Sequence, residues 1–417
     1  MEHLIVNNLL DYNQHGFVPK KSCMTQHIEV LDEWTKCIDT GRCVDVAFMD
    51  MKKAYDTVPH KRLIIKLKSL GFEKSLLHWI EAFLSDRLQR VVVNNTSSDW
   101  SNVLSGVPQG SVVGPTLFLC YINDLPTCVK SNIKLFADDV KLFTEIGSKE
   151  DCEILQNDLD ALCEWSKKWK LSFHPQKCNI LRLGKNNPNF KYTLKDLKGI
   201  RFELSQTSIV KDLGVLIDDK LSFSPHIEMI VIAANKLVGL IRRTILSLNN
   251  KNFLLLYKTL IRPKLEYNNA VWWTNTKSDL MKLEGVQRRA TKMLPGLKNL
   301  SYSERLKILD LPTIAYRRLR GDCIQVYKYL NNYYDVDWTD LFSLNNEPYY
   351  KTRGHSFKLT KLAYNSTIRG NFLAVRILKH WNNLPESVVC SPSLNAFKNA
   401  LDKYWEHNSL KFDPEAC

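Results

Sequence analysis

The sequence predicts an α+β (α/β) first half followed by a largely helical second half, and three observations carry that expectation. Runs such as "CVDVAFMDM" and "IKLFADDVKLF" alternate apolar and polar residues with the two-residue period of a strand. Segments with apolar residues at helical spacing lie between them. From Ser224 onward the strand pattern disappears, and helices rich in Lys, Arg, Leu and Tyr follow one another. Interleaved strands and helices build a sheet-containing unit, and helices alone build a bundle-like one.

Taken in order, Glu2 to Leu10 read as the last turns of a helix with no capping residue before them, so the chain is expected to start inside an element. "HGFVPKKSC" is a loop, followed by a helix from Met24 to Ile38 and a strand from Val44 to Met51. Pro59 and Gly71 bracket the next helix as start and stop signals. A helix over Lys74–Ser85, a strand in "QRVVVNN", a glycine and proline loop in "VLSGVPQGSVVGP" and a buried helix from Thr116 to Asp124 come next. The aspartate strand pair leads into an amphipathic helix over Lys149–Lys170, and "FHPQKCNILRLG" supplies a turn and a strand. "GKNNPNFKY" is the first expected break between domains, and "LFSLNNEPYYKTRGHS" is a second looser stretch. The domain expectation is therefore 1–185, 186–223, 224–335 and a C-terminal unit 336–417 of unassigned role.

The 417 residues are too many for one ordinary core. Hydrophobic residues make up 44%, enough for packed interiors. Fifty-eight Lys and Arg against 44 Asp and Glu leave a formal charge of +14, an excess that suits a polyanion, nucleic acid before membrane. Eight of the 11 cysteines fall at or before Cys178 and none sits at C-x-x-C spacing, which argues against a zinc ribbon and a disulfide framework and for a reducing, intracellular setting with no disulfide-linked partner. No signal-peptide pattern opens the chain. The longest apolar run, Val103 to Ile122, is broken by Pro108, Pro115 and glycines, so a soluble chain without a membrane partner is expected.

Asp138 and Asp139 interrupt an apolar strand pattern with two adjacent carboxylates. At about 4 Å two such charges repel by roughly 4 kcal/mol at a protein surface, so something must offset them. A solvated hairpin tip would do so, and so would a divalent cation. Asp50, at the end of another alternating run, supplies a third carboxylate. Carboxylates from two separate strands are what a two-metal clamp for phosphoryl transfer requires.

Five ordered blocks then carry a resemblance: "FMDMKKAYDTVPHKRL", "SGVPQGSVVGPTLFLCYINDLP", "KLFADD", "WSKKWKLSFHPQKC" and "VKDLGVLID". With "QHGFVPKKSCMTQ" and "GVQRRATKMLPGLKNLSYSERLKILDLPT", the chain resembles, nearly end to end, the reverse transcriptases of non-LTR (LINE-type, jockey-like) retrotransposons. The resemblance implies a right-hand polymerase fold with an antiparallel-sheet palm, partial fingers and an α-helical thumb, and a primer-grip hairpin over 186–223. It implies an RNA-directed DNA polymerase that uses two Mg²⁺, an RNA template, a DNA primer or target, and deoxynucleoside triphosphates (dNTPs), acting in the nucleus or cytoplasm.

Carried over by position, Asp50, Asp138 and Asp139 match the catalytic metal ligands, and Tyr55 matches the gate that excludes a 2′-hydroxyl. Gln109 and Gly110, with Gly106, match the loop beside the nucleotide and template. Lys177 matches a lysine near the triphosphate, although His174 and Cys178 depart from the usual pattern of that block. Asp56 is expected to cap the helix at Pro59, and His60 to be a first-turn residue. Arg242, Arg243, Arg288, Arg289, Arg317, Arg318 and Arg320 sit on thumb-like segments that could track a duplex backbone, and Trp272 and Trp273 read as core. The family's fingers block and endonuclease lie upstream of "QHGF", so a 5′-truncated copy is expected, with Lys20 and Lys21 as the available basic residues. A second reading is a catalytically silent nucleic-acid-binding remnant. An RNA-dependent RNA polymerase is a third, disfavoured by Tyr55 and by "FADD" in place of Gly-Asp-Asp.

Overall fold

The run after Gly41 forms strand β1 (Cys43–Met49), buried at nearly every position because both of its faces are covered. In the computed structural model, which describes residues 1–416 apart from 197, 246, 275 and 345–354, β1 is the centre of a five-stranded sheet. The other strands are β2 (Asn132–Phe136), β3 (Asp139–Ile146), β4 (Asn179–Leu183) and β5 (Ser205–Thr207), in the order β5-β4-β1-β3-β2. All neighbours are antiparallel except β5 and β4. This sheet belongs to a first unit made of Met1–Gln26 and Gly41–Ser208.

The longer helices of that unit are α1 (His60–Ser69), α2 (Lys74–Leu84), α3 (Gly114–Ile122) and α4 (Lys149–Trp169). A capping box starts α4, with Ser148 accepting from the Asp151 amide, and Lys170 ends it in the left-handed region at φ 60°. It packs on β3, and α1 packs between α2 and α3. Their buried residues, Leu63, Leu67, Phe118, Ile122, Leu155 and Leu159 among them, share one core with Ala47 and Leu142 of the sheet.

Three local expectations change. "QRVVVNN" is not one strand: it forms two-residue ladders, Leu88–Gln89 with Ser101–Asn102 and Val92–Val93 with Thr96–Ser97, around an Asn94-Asn95 turn with both φ positive. Its valines are exposed, and strand propensity without a surface to pack on yields short pairing. The first helix covers only Glu2–Val6. Asp56 does not cap α1, whose N-cap is Pro59 with no side-chain bond; it sits in the one-turn helix Ala54–Thr57.

The break expected at residue 185 falls inside the first unit. Asp45, buried in the middle of β1, accepts from the Tyr192 hydroxyl and the Asn187 amide, both at 2.7 Å. A buried carboxylate needs such partners, so residues 186–208 are tied to the sheet they follow. Desolvation still raises the Asp45 pKa.

The second unit combines His27–Thr40, part of the helix Cys23–Asp39, with residues from Ile209 onward. Strands β6 (Ile209–Asp212) and β7 (Val215–Asp218) form a hairpin whose Leu213-Gly214 turn has φ of 42° and 85°. His27 Nε2 lies 3.1 Å from Asp212 Oδ2, with both side chains buried. The remaining mass is helical, led by α5 (Ser224–Thr244), α6 (Lys277–Thr291), α7 (Ile314–Leu330) and α8 (Leu394–Tyr404), with α5 on α6 and α7 on α8. Among the described residues α5 alone has the length and apolar composition of a membrane span, but Ile227, Ala234, Val238 and Ile241 are buried within the unit.

The described residues of 336–416 do not stand apart as a separate C-terminal body. Asp402 of α8 takes both forks of Arg320 at 2.5 and 2.7 Å, Arg376 pairs with Asp322 at 2.9 Å, and the Thr313 hydroxyl donates to Leu410 at 2.6 Å. Most of the looser stretch "LFSLNNEPYYKTRGHS" lies outside the described residues.

Candidate active site

Antiparallel register decides which side chains meet at the end of the sheet. Met49 pairs with Val140, so Asp50, one step beyond β1, comes level with the start of β3, where Asp139 is the first residue. Phe136 pairs with Asp139, which leaves Ala137 and Asp138 as a two-residue turn between β2 and β3. Ala137 takes φ 56°, a value usual for glycine in the first position of such turns. Asp50 and Asp138 are half-buried and Asp139 is exposed.

Electrostatics record the clustering. Burial, and then the charge of Asp50, raise the Asp138 pKa above the ordinary carboxylate value. Lys177 Nζ stands 3.8 Å from Asp50 Oδ2, with both side chains largely solvated. Among the described residues no three His, Cys, Asp or Glu side chains close into a ready-made ion cage. What the three aspartates offer is a set of hard oxygen donors on two adjacent strand ends, which suits Mg²⁺, an ion that keeps several waters or phosphate oxygens of its own.

The segment after α4 wraps the backbone of Asp50. Its carbonyl accepts from the His174 amide at 2.8 Å, its amide lies 3.4 Å from Cys178 Sγ, and Lys52 donates to Ser172 at 2.7 Å. The two residues at which this block departs from the family pattern thus make short-range contacts with the Asp50 main chain.

Tyr55 is stacked on Phe118 of α3, with ring centroids 4.4 Å apart. Its hydroxyl is buried without a hydrogen-bond partner and lies in the field of Asp138 and Asp139. The Tyr55 carbonyl accepts from the Val107 amide at 2.8 Å, and Gly106 donates to Val58 at the same distance. "SGVPQG" is therefore docked on the turn that carries Tyr55. Gly106 makes its close approach here to Asp56, since a Cβ would sit 2.7 Å from the Asp56 carbonyl oxygen. Gln109 donates to Asp56 Oδ1 at 2.9 Å, His60 bonds the Gly106 carbonyl at 2.8 Å, and Gly110 has open space at the position of a Cβ.

The arginines divide. Arg242, Arg243, Arg288 and Arg289 are exposed on α5 and α6. Arg317, Arg318 and Arg320 are structural instead: the first holds Glu266, the last Asp402, and Arg318 is buried against the faces of Trp272 and Trp273. Lys21 is engaged with the Tyr12 carbonyl and ring, while Lys20 is exposed. Sequence reasoning passed over Gln14, which is buried and bonded to the aspartate turn. The signal available was its place in "QHGF", two residues before a glycine.

The chain is 29% identical over 324 residues to the RNA-directed DNA polymerase from mobile element jockey of Drosophila funebris, covering 71% of this chain and 34% of that protein. It is 27% identical to the probable RNA-directed DNA polymerase from transposon X-element of Drosophila melanogaster, covering 68% and 32%. It thus spans about a third of the length of these relatives. Among solved structures, telomerase from Candida albicans in complex with a fragment of telomeric RNA aligns with 70% of this chain and 53% of that one, at 13% identity and a TM-score of 0.36. The sequence profile described as "Reverse transcriptase (RNA-dependent DNA polymerase)" matches residues 1–217, more than half of the chain, and the chain belongs to that family.

Proposed function

We propose that this chain is the RNA-directed DNA polymerase of a jockey-like, non-LTR retrotransposon, joining dNTPs to a primer 3′-hydroxyl on an RNA template. The observation that carries the reading is the register that brings Asp50 level with the Asp138-Asp139 turn, beside Tyr55. Two Mg²⁺ held by Asp50, Asp138 and Asp139 would activate the attacking hydroxyl and stabilise the departing pyrophosphate oxygen. Tyr55, stacked on Phe118, would act as the gate that chooses the sugar by excluding a 2′-hydroxyl. Gln109 and Gly110 flank the nucleotide, and Lys177 Nζ holds a proton within reach of the leaving group. The sheet unit serves as palm. The exposed Arg242, Arg243, Arg288 and Arg289 of the helical unit contact phosphates of the primer–template duplex without reading sequence.

The test is primer extension on an RNA template with Mg²⁺ and the four dNTPs, run beside the Asp138→Asn, Asp139→Asn double variant. Extension by the parent alone is the expected result. The variant should lose more than the roughly 10–100-fold that removal of an outer-shell partner costs a metal site. Extension by neither, with RNA–DNA duplex binding intact, would instead make the chain a binding protein without turnover.

A further inference from the structure

We propose that Gln14 is a positioning residue for the aspartate turn, acting through the backbone of Ala137. The segment Asn13–Gly16 runs parallel to the free edge of β2: Leu135 donates to the Asn13 carbonyl at 3.0 Å, and the His15 amide donates to the Leu135 carbonyl at 2.8 Å. Between those bonds the Gln14 side chain turns inward and is 2% exposed. Its Oε1 accepts two amide protons, from Gly16 at 2.8 Å and from Ala137 at 2.9 Å.

Ala137 is the residue whose left-handed φ of 56° sets the direction of Asp138. An alanine there is disfavoured relative to glycine, because its Cβ crowds the backbone. A bond to its amide from a buried side chain on another segment is the kind of support that keeps such a conformation in place. Gly16 completes the arrangement. A Cβ at that position would lie 2.5 Å from the Ala137 nitrogen and 2.9 Å from the Phe136 carbonyl carbon, so only glycine lets the segment approach closely enough. Gln and Gly of "QHGF" thus form one device, an acceptor for the turn and the clearance that lets it reach.

This inference rests on the reading of Asp50, Asp138 and Asp139 as the metal clamp, and the test separates the two. Mn²⁺ serves as probe, with the free ion counted by electron paramagnetic resonance in the absence of substrate. Parent protein is compared with the Asp138→Asn, Asp139→Asn variant, with Gln14→Met, and with Gln14→Met combined with Ala137→Gly. Methionine keeps the length of glutamine and removes the acceptor. Gln14→Met is expected to weaken Mn²⁺ binding by about tenfold or more, the effect of losing an outer-shell partner. Glycine at 137 takes the same φ without support, so the double variant is expected to recover most of that affinity.

Equal Mn²⁺ binding by the parent and the double asparagine variant would overturn the clamp and this proposal with it. Normal clamp behaviour with parent-like binding by Gln14→Met would overturn the proposal alone. So would a weakened Gln14→Met that Ala137→Gly fails to rescue, since the effect would then not pass through the turn. If Gln14→Met does not fold, Gln14→Asn, one methylene too short to reach Ala137, replaces it in the same series with the same outcomes.

Discussion

Burial pushes the Tyr55 pKa up to about 12, and the charges of Asp138 and Asp139 add to the effect. Its hydroxyl stays protonated, yet it has no hydrogen-bond partner. A buried unsatisfied hydroxyl costs about 1–3 kcal/mol, so the folded protein gains nothing from this oxygen. The ring is different: it is stacked on Phe118. Tyr55→Phe is therefore expected to keep dNTP selection while raising stability by about 1 kcal/mol. On the proposed gate role, Tyr55→Ala should lower the ratio of kcat/KM for dNTPs over ribonucleotides by about tenfold or more. Steady-state incorporation of matched dNTP and ribonucleotide pairs measures both; unchanged discrimination in the alanine variant would remove Tyr55 from the gate.

At the scale of elements, one loop shows how the site is held. "SGVPQG" docks on residues 55–58 through backbone bonds at 2.8 Å and through Gly106, whose φ is 93° and whose α-carbon faces the Asp56 main chain. Gly106→Ala adds a methyl group where three Asp56 backbone atoms lie within 3 Å, at a φ that alanine avoids. The expected loss is on the order of 1–3 kcal/mol of stability, with Gln109 shifted from Asp56. A urea titration checks the first, and a raised KM for dNTP with a smaller change in kcat checks the second.

The same scale explains what the sequence could and could not disclose. The three aspartates were legible as a candidate cluster because strand alternation is a local pattern and antiparallel pairing then aligns strand ends, whereas Tyr55 entered through the family resemblance alone. Helix α4 was legible to within a residue because its caps are local too. Asp45 with Tyr192 was not: the pair spans 147 residues, and nothing in "GKNNPNFKY" shows that its tyrosine is bound for the sheet. Nor did charge alone separate exposed Arg288 and Arg289 from Arg317, Arg318 and Arg320, whose partners Glu266, Trp272 and Asp402 come from other segments. Gln14 fails for the same reason, its partner being a backbone amide 123 residues away.

At the scale of the whole molecule, a buried histidine links the stability of the second unit to pH. His226, at the start of α5, is 1% exposed; its Nδ1 accepts from the Leu216 amide at 3.2 Å and its ring stands edge-on to Trp272. Burial lowers its pKa to about 4, with the charges of Arg318 and His27 acting in the same direction. The unfolded chain would protonate this imidazole near pH 6.5, the folded one only near 4. Between those values the unfolded state binds more protons, so stability is complete above about pH 6.5 and is lost as pH falls towards 4. The whole window is worth on the order of 3 kcal/mol. His226→Asn puts a carbonyl oxygen where Nδ1 accepts and removes the titration. Its second unit should be somewhat less stable than the parent's at pH 7.5, yet lose less stability between pH 6.5 and 4.5. Urea midpoints followed by pulsed hydrogen exchange over Ser224–Thr244 read that unit separately. Parallel pH dependence in parent and variant would place the acid sensitivity elsewhere, and a flattened profile in the variant would place it at His226.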